Sequence, residues 1–164
     1  MRNIGKSDIA VSELSLGSWH TYSRLSFEAN VNLINHAFQR GVRFFDVAYY
    51  RDKPHTEVLF GRMLQEADFG RDDIVLGEKV WYFDYPERSL TAQLDASLRR
   101  LAVENVDLII VEHPRPEMDV ERLARDAAGA GDVGPRPGLG RAQLAPRAHS
   151  AGTRVLHRRG AAHA

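Results

Sequence analysis

The 164-residue chain contains no cysteine. Disulfide bonds, thiolate metal sites and a cysteine nucleophile are therefore excluded, and the composition fits a reducing compartment. No apolar run approaches the roughly 20 residues that span a membrane, and residues 1–10 lack the apolar core of a signal peptide. The formal net charge is zero, so nothing predicts nucleic acid or a membrane as a partner. We expect a cytoplasmic protein.

Large apolar side chains are scarce at the C-terminal end. Residues 127–164 are Ala, Gly, Pro, Arg or His at 29 of 38 positions, and no Phe, Trp or Tyr follows Tyr85. This segment carries a net charge of +5, which leaves −5 on the first 126 residues. A segment with so little apolar surface cannot offset the entropy lost on ordering. We expect a domain over residues 1–126 and a poorly ordered tail over 127–164, either a natural flexible tail or the product of a shifted reading frame.

Short apolar runs alternate with segments of helical periodicity in the first 126 residues. Two apolar stretches in residues 1–11, parted by a Gly-containing turn, predict a small β-hairpin. Four further apolar runs predict strands, over residues 14–17, 42–48, 74–79 and 106–111. Four helices with one apolar face are predicted after them, starting at or near Ser26, Thr56, Pro86 and Glu117.

This alternation predicts an α/β fold with a parallel sheet and right-handed crossovers. Four strand–helix units after a β-hairpin would form the N-terminal half of a (β/α)8 TIM barrel. An open doubly wound sheet has the same order of elements, and periodicity alone does not separate the two. In either architecture the functional residues lie at the C-terminal ends of the strands.

Polar side chains follow three of the predicted strands at the point where each strand ends. Asp46 ends the second strand and Lys79 the third, and Tyr50 lies in the loop after Asp46. Glu112 and His113 follow the fourth strand. Each of these residues alone would commonly be a surface or packing residue. Because the ends of parallel strands share one edge of a sheet, we expect the group to lie close together.

These residue types suit the delivery of a proton. A tyrosine has a pKa near 10 and is a poor acid at neutral pH, but a nearby ammonium stabilises the phenolate and lowers that pKa. A buried carboxylate beside the lysine would keep the lysine charged and oriented. The phenol could then protonate a carbonyl oxygen while a hydride reaches the carbon. The hydride has to come from a cofactor, because no side chain supplies one.

Several segments carry a family resemblance in their order and spacing. They are Arg2–Ser7 with Val11–Ser12 and Leu16–Gly17, Phe45–Tyr50 with Glu57 and Gly61 downstream, Gly77–Trp81, Ser97–Leu101 and Val106–Leu108. Together they resemble the aldo-keto reductase family over residues 1 to about 126. The resemblance implies a barrel, an NADPH cofactor and a small carbonyl substrate. It also implies that Tyr50 is the proton donor, that Lys79 and Asp46 tune it, and that Asp46 and Trp19 contact the cofactor.

The tyrosine position departs from the family pattern. The family tyrosine usually lies five residues after the aspartate, where this chain has Arg51. A loop shorter by one residue would allow Tyr50 to serve, and we favour Tyr50 over Tyr49.

The fourth catalytic position departs as well. Counting five residues on from Asp107, or 33 from Lys79, leads to Glu112, whereas His113 lies one residue later. The register favours Glu112, and a glutamate there resembles the family's steroid carbon–carbon double-bond reductases. A protonated carboxyl would polarise a carbonyl more strongly than a neutral histidine. The alternative is that the loop is displaced and His113 performs the usual role.

The second half of the family barrel supplies most of the cofactor site, and no counterpart follows residue 126. We therefore expect weak or no NADPH binding by this chain alone. A half barrel also exposes sheet edges that invite self-association. Two further hypotheses stay open: a non-catalytic regulatory protein on the same scaffold, and a barrel closed by two copies. The histidines lack the spacing of metal ligands, so no metal site is predicted.

Overall fold

A computed structural model describes residues 1–82, 88–112, 119–132 and 143–146, with residues 127–132 and 143–146 as backbone alone. The chain begins with a β-hairpin of β1 (Arg2–Asn3) and β2 (Ala10–Val11), which pair antiparallel. The Ser12 hydroxyl accepts hydrogen bonds from two backbone N–H groups at residues 43 and 44, at 2.8 and 3.1 Å. The predicted hairpin is confirmed, and Ser12 attaches its end to the main sheet.

The main sheet has five parallel strands in sequence order. They are β3 (Ser15–Gly17), β4 (Phe44–Ala48), β5 (Val75–Trp81), β6 (Leu108–Glu112) and β7 (Gln143–Pro146). Every strand pairs with the next one along the chain, and each pair is parallel. A doubly wound sheet reverses its strand order at a switch point, and the described strands show no reversal. The order is that of a barrel segment, and the predicted α/β class is confirmed.

Four α-helices in the described part of the chain connect or follow these strands. They are α1 (Phe27–Gln39), α2 (Thr56–Gln65), α3 (Leu90–Leu101) and α4 (Val120–Asp132). As predicted, Ser26 caps α1, because its hydroxyl accepts from the backbone N–H of Ala29 at 3.2 Å. After α1 the chain turns through Gly41, whose φ of +89° favours glycine.

Three predicted helix starts need correction or fall outside the described chain. Thr56 is the first residue of α2 rather than its cap; its hydroxyl donates to the Lys53 carbonyl, and the preceding His55 makes no side-chain cap bond. The cap of α3 is Ser89, which accepts from the backbone N–H of Ala92 at 3.1 Å. Pro86 and Glu117 lie outside the described residues.

The core lies between the sheet and the helices. Phe45 packs against Phe60 of α2 and Phe69, with ring centroids 5.8 and 5.7 Å apart. Val47 is also fully buried in this cluster. Successive residues of a strand face opposite sides. Since Phe45 and Val47 face the helices, Asp46 faces the other side of the sheet, the interior of the partial barrel.

An ion pair aligns the starts of β5 and β6. The Asp107 carboxylate accepts from the Arg71 guanidinium at 2.6 Å and from the backbone N–H of Leu76 at 2.8 Å. The Leu76 carbonyl in turn accepts from the backbone N–H of Asp107. These bonds set the register in which Lys79 pairs with Ile110, so the two strands end together.

Part of the predicted poorly ordered tail has regular backbone. Helix α4 continues past residue 127 to Asp132, and β7 adds to the edge of β6. Backbone pairing uses groups that every residue except proline carries, so a shortage of large side chains does not prevent it. Residues 133–142 and 147–164 lie outside the described chain, and the predicted division at residue 127 stays a prediction. No helix in the described ranges is long and apolar enough to cross a membrane.

Candidate active site

A buried ion pair joins the ends of β4 and β5. The Lys79 ammonium lies 2.6 Å from the Asp46 carboxylate, and the two side chains are 6% and 8% exposed. The strand register pairs Asp46 with Gly77, which lies two residues before Lys79. Because side chains two residues apart on a strand face the same side, Asp46 and Lys79 lie on one face of the sheet. A charge this deeply buried requires a partner. The structure thus brings together two of the residues singled out from the sequence.

Glu112 adds a second carboxylate to this pair. It is the last residue of β6, pairs with Trp81 of β5, and is buried. Its carboxylate lies 3.9 Å from the Lys79 ammonium. Lys79 therefore lies between two acidic side chains. His113, the other candidate for the fourth position, is outside the described residues.

Tyr50 lies in the loop that follows β4. Its hydroxyl is within hydrogen-bond distance of Ser18, which was not singled out from the sequence. The phenol oxygen lies 3.3 Å from the Ser18 hydroxyl, and either group can donate. The ring lies between two tryptophans, with centroid distances of 5.9 Å to Trp19 and 6.1 Å to Trp81. Tyr50 is 6% exposed, and Ser18 is 2% exposed.

The electrostatics of Tyr50 differ from the expectation. Burial raises the pKa of Tyr50 to about 12; the Ser18 hydrogen bond opposes this rise, while the charges of Asp46, Glu78 and Glu112 add to it. The sequence predicted a lowered pKa through the Lys79 ammonium. The physical reason for the difference is that desolvation disfavours the buried phenolate, and the Lys79 charge is matched by the carboxylates beside it.

Tyr49 is held away from this cluster. The Arg100 guanidinium of α3 lies 4.6 Å from the centroid of the Tyr49 ring. The Tyr49 carbonyl accepts a hydrogen bond from the Trp81 indole at 2.8 Å. Tyr49 therefore contacts the helix layer, whereas Tyr50 contacts Ser18 and the two tryptophans, which supports the choice of Tyr50.

A second polar cluster lies on the helix side of the sheet. The fully buried side chains of Glu57 and Glu78 lie near one another; Arg100 donates to Glu57, and Ser97 donates to Glu78 at 3.2 Å. Burial raises the pKa of Glu78 well above its usual value, and the negative charge of Glu57 and a hydrogen bond with it act in the same direction. Sequence reasoning singled out Glu57 only as a motif residue and missed this cluster. The signal was present, because Glu78 sits in a buried strand beside Lys79 and must face the other way.

Two buried residues near the site were also missed. Ser18 follows Gly17 at the end of β3, and the strand-end rule could have found it. Tyr22 is almost fully buried, and its hydroxyl has no hydrogen-bond partner among the described residues. Burial raises the pKa of Tyr22, and the charge of Asp46 adds to this rise. Nothing in the local pattern marks Tyr22 as a neighbour of Asp46.

Two features could hold part of a nucleotide cofactor. The second carboxylate oxygen of Asp46, Oδ1, is buried and accepts no hydrogen bond from the described part of the chain. It could accept one from a ligand hydroxyl. Trp19 is 66% exposed and presents a flat apolar surface beside Tyr50. In the described ranges, no group of three or more His, Asp or Glu side chains could hold a metal ion.

The fold and the site together define an α/β protein of barrel topology, with an ammonium–carboxylate pair and a phenol at the C-terminal ends of its strands. The chain belongs to the aldo-keto reductase family. The family model described as "Aldo/keto reductase family" matches residues 13–134. The resemblance seen in the sequence is thereby confirmed.

The chain is similar to two kinds of known relative. A Schizosaccharomyces pombe protein named "Putative voltage-gated potassium channel subunit beta" is 28% identical over an alignment of 135 residues, and the alignment covers 76% of this chain and 39% of that protein. The crystal structure of a thermostable aldo-keto reductase, Tm1743, in complex with the inhibitor epalrestat aligns with a TM-score of 0.65 at 30% identity. That alignment covers 78% of this chain and 48% of the other. The chain thus spans less than half the length of these relatives.

Proposed function

We propose that this chain is the proton-handling half of an oxidoreductase that uses NADPH to reduce the carbonyl group of a small aldehyde or ketone. Membership of the aldo-keto reductase family supports an oxidoreductase function. The observation that carries the proposal is the buried Lys79–Asp46 pair, which adjoins Glu112 at the ends of adjacent strands. Tyr50 follows the strand that holds Asp46.

In this proposal Tyr50 is the general acid. With a pKa raised to about 12, the phenol keeps its proton at neutral pH and can donate it to a carbonyl oxygen. The resulting phenolate takes its proton back from solvent. Asp46 would hold the Lys79 ammonium at the end of β5, where the pair tunes the phenol. Glu112, 3.9 Å from that ammonium, would complete the polar group around the carbonyl.

The cofactor, when bound, supplies the hydride that no side chain can supply. Asp46 Oδ1 would accept a hydrogen bond from a sugar hydroxyl, and Trp19 would cover part of the dinucleotide. These two contacts are few for a ligand of that size. We therefore expect this chain to bind NADPH weakly by itself.

Turnover of a nitrobenzaldehyde tests the proposal. The loss of NADPH absorbance would be followed for the wild-type chain and for Tyr50→Phe, with Tyr49→Phe as the matched control. We expect a low rate that Tyr50→Phe reduces by roughly 100-fold or more, since a general acid contributes about that factor. Tyr49→Phe should retain the wild-type rate. Equal losses in the two variants would contradict the assignment of Tyr50.

A second candidate is a non-catalytic regulatory or self-associating protein on the same scaffold. It is favoured by the similarity to a protein named as a channel subunit. Light scattering measures self-association, and the aldehyde assay measures turnover. A stable assembly without turnover in any variant would favour this candidate over the enzyme.

A further inference from the structure

Ser18 is anchored at the end of β3, facing the site. Its backbone N–H donates to the Asp46 carbonyl at 2.9 Å, which extends the β3–β4 ladder by one step. Its carbonyl accepts from the backbone N–H of Thr21 at 3.3 Å. The residue is therefore held from both sides, and its hydroxyl has a defined place relative to β4.

Tyr50 reaches this hydroxyl from two residues beyond β4. The Tyr50 carbonyl accepts from the backbone N–H of Lys53 at 3.0 Å, which closes the loop. The ring lies close to Trp19 and Trp81, and both hydroxyls are buried. A buried phenol needs a hydrogen-bond partner, and Ser18 is that partner.

We propose that Ser18 is the positioning residue for Tyr50: its hydroxyl holds the phenol oxygen at the end of β3 and donates a hydrogen bond to it once the phenol has lost its proton. This inference rests on the proposed function, in which Tyr50 gives its proton to the carbonyl oxygen. The hydride from NADPH forms the new carbon–hydrogen bond in the same reduction. Ser18 keeps its own proton throughout.

The environment explains why a hydroxyl matters at this place. Three carboxylates, those of Asp46, Glu78 and Glu112, disfavour a negative charge on Tyr50, and burial disfavours it further. The Ser18 hydrogen bond acts in the opposite direction. Lys79 is 2.6 Å from Asp46 and 3.9 Å from Glu112, so its charge is shared with two acids. The Ser18 hydroxyl, by contrast, already lies within hydrogen-bond distance of the phenol oxygen.

The test measures the ionisation of Tyr50 directly in the full chain. A fluorotyrosine, whose phenol is more acidic than that of tyrosine, would be incorporated at position 50 alone, and its fluorine NMR signal followed against pH. Ser18→Val removes the hydroxyl. Ser18→Thr keeps a hydroxyl in a side chain of the same shape as valine. A hydrogen bond to a charged group contributes about 1.5–3 kcal/mol. We therefore expect Ser18→Val to raise the midpoint by roughly one to two pH units, and Ser18→Thr to leave it near the wild-type value.

Ser15→Ala is the matched control, because Ser15 is an exposed serine of β3, the strand that ends just before Ser18. Equal midpoints in Ser18→Val and Ser18→Thr would overturn the inference, as would a shift of the same size in Ser15→Ala. The readout needs neither substrate nor turnover. If the midpoint moves while turnover is independent of Tyr50, the proposed function fails and the Ser18 contact stands. If turnover needs Tyr50 while the midpoint does not move, only the inference about Ser18 fails.

Discussion

Glu78 and Lys79 follow one another along β5, yet their side chains lie on opposite faces of the sheet. Lys79 faces the barrel interior and pairs with Asp46, whereas Glu78 faces α3 and accepts from Ser97. The alternation of a strand produces this division. It gives the protein two separate buried polar clusters one residue apart, and each can be tested by its own substitution.

Removal of the Asp46 charge should destabilise the fold. Asp46→Asn takes away the closest partner of a buried ammonium, and the breaking of a buried pair costs about 3 kcal/mol or more. Urea unfolding, followed by circular dichroism, would measure the change in the free energy of unfolding. Asp52→Asn is the control, because the Asp52–Lys53 pair includes a carboxylate that is 73% exposed. Exposed pairs contribute little to stability, because solvent screens them. Losses of similar size in both variants would contradict the prediction.

The Glu78 cluster predicts a pH dependence of stability. The folded state raises the pKa of Glu78 well above its usual 4.5. The stability that the protonated Glu78 side chain contributes is therefore fully present at pH values below that usual pKa. It is lost as the pH rises through the pKa of the folded state. Each pH unit over which Glu78 is ionised only in the unfolded chain changes the free energy of unfolding by about 1.4 kcal/mol. Glu78→Gln removes this titration.

Unfolding measured at several pH values between about 5 and 8 would check this expectation. The stability of Glu78→Gln relative to wild type should rise with pH. Glu57→Gln is the contrasting variant, since Glu57 accepts a hydrogen bond from Arg100 and its loss should destabilise at every pH. A constant difference between Glu78→Gln and wild type would show that Glu78 does not titrate in this range.

Gly61→Ala should destabilise the contact between α2 and α3. A Cβ atom at position 61 would lie 2.1 Å from the Leu101 carbonyl oxygen, a backbone atom that cannot turn aside. Alanine is the better helix former by about 1 kcal/mol, but overpacking of this kind costs about 3 kcal/mol. The net expectation is a lower melting temperature by thermal unfolding. Gly70→Ala is the control, because its Cβ would make an ordinary contact, 3.5 Å from the Asp73 side chain.

NADPH binding by this chain should be weak. Titration of NADPH fluorescence with the wild-type protein would measure the dissociation constant. We expect it to lie well above the roughly micromolar range that corresponds to about −8 kcal/mol, because few residues of the described chain can contact the cofactor. Micromolar affinity would contradict the expectation, and its loss in Trp19→Ala would then locate the site.

The sequence anticipated more of the fold than of the site's electrostatics. Strand ends were predicted within a few residues because burial and alternation are local properties. The start of α2 was misjudged, since a threonine suitable as a cap can equally occupy the first helical turn. The strand Gln143–Pro146 was missed because its pairing with β6 depends on backbone groups, which composition does not reveal.

The sequence by itself determined the order of the elements and the strand ends that carry Asp46, Lys79 and Glu112, because periodicity and spacing encode these directly, and its motifs carried the resemblance to the family. Only the tertiary structure decided that the Tyr50 hydroxyl contacts Ser18, and that Lys79 lies between Asp46 and Glu112. It likewise decided that the pKa of Tyr50 rises. A pKa depends on burial and on distances between charges from separate segments, and these exist only once the chain has folded.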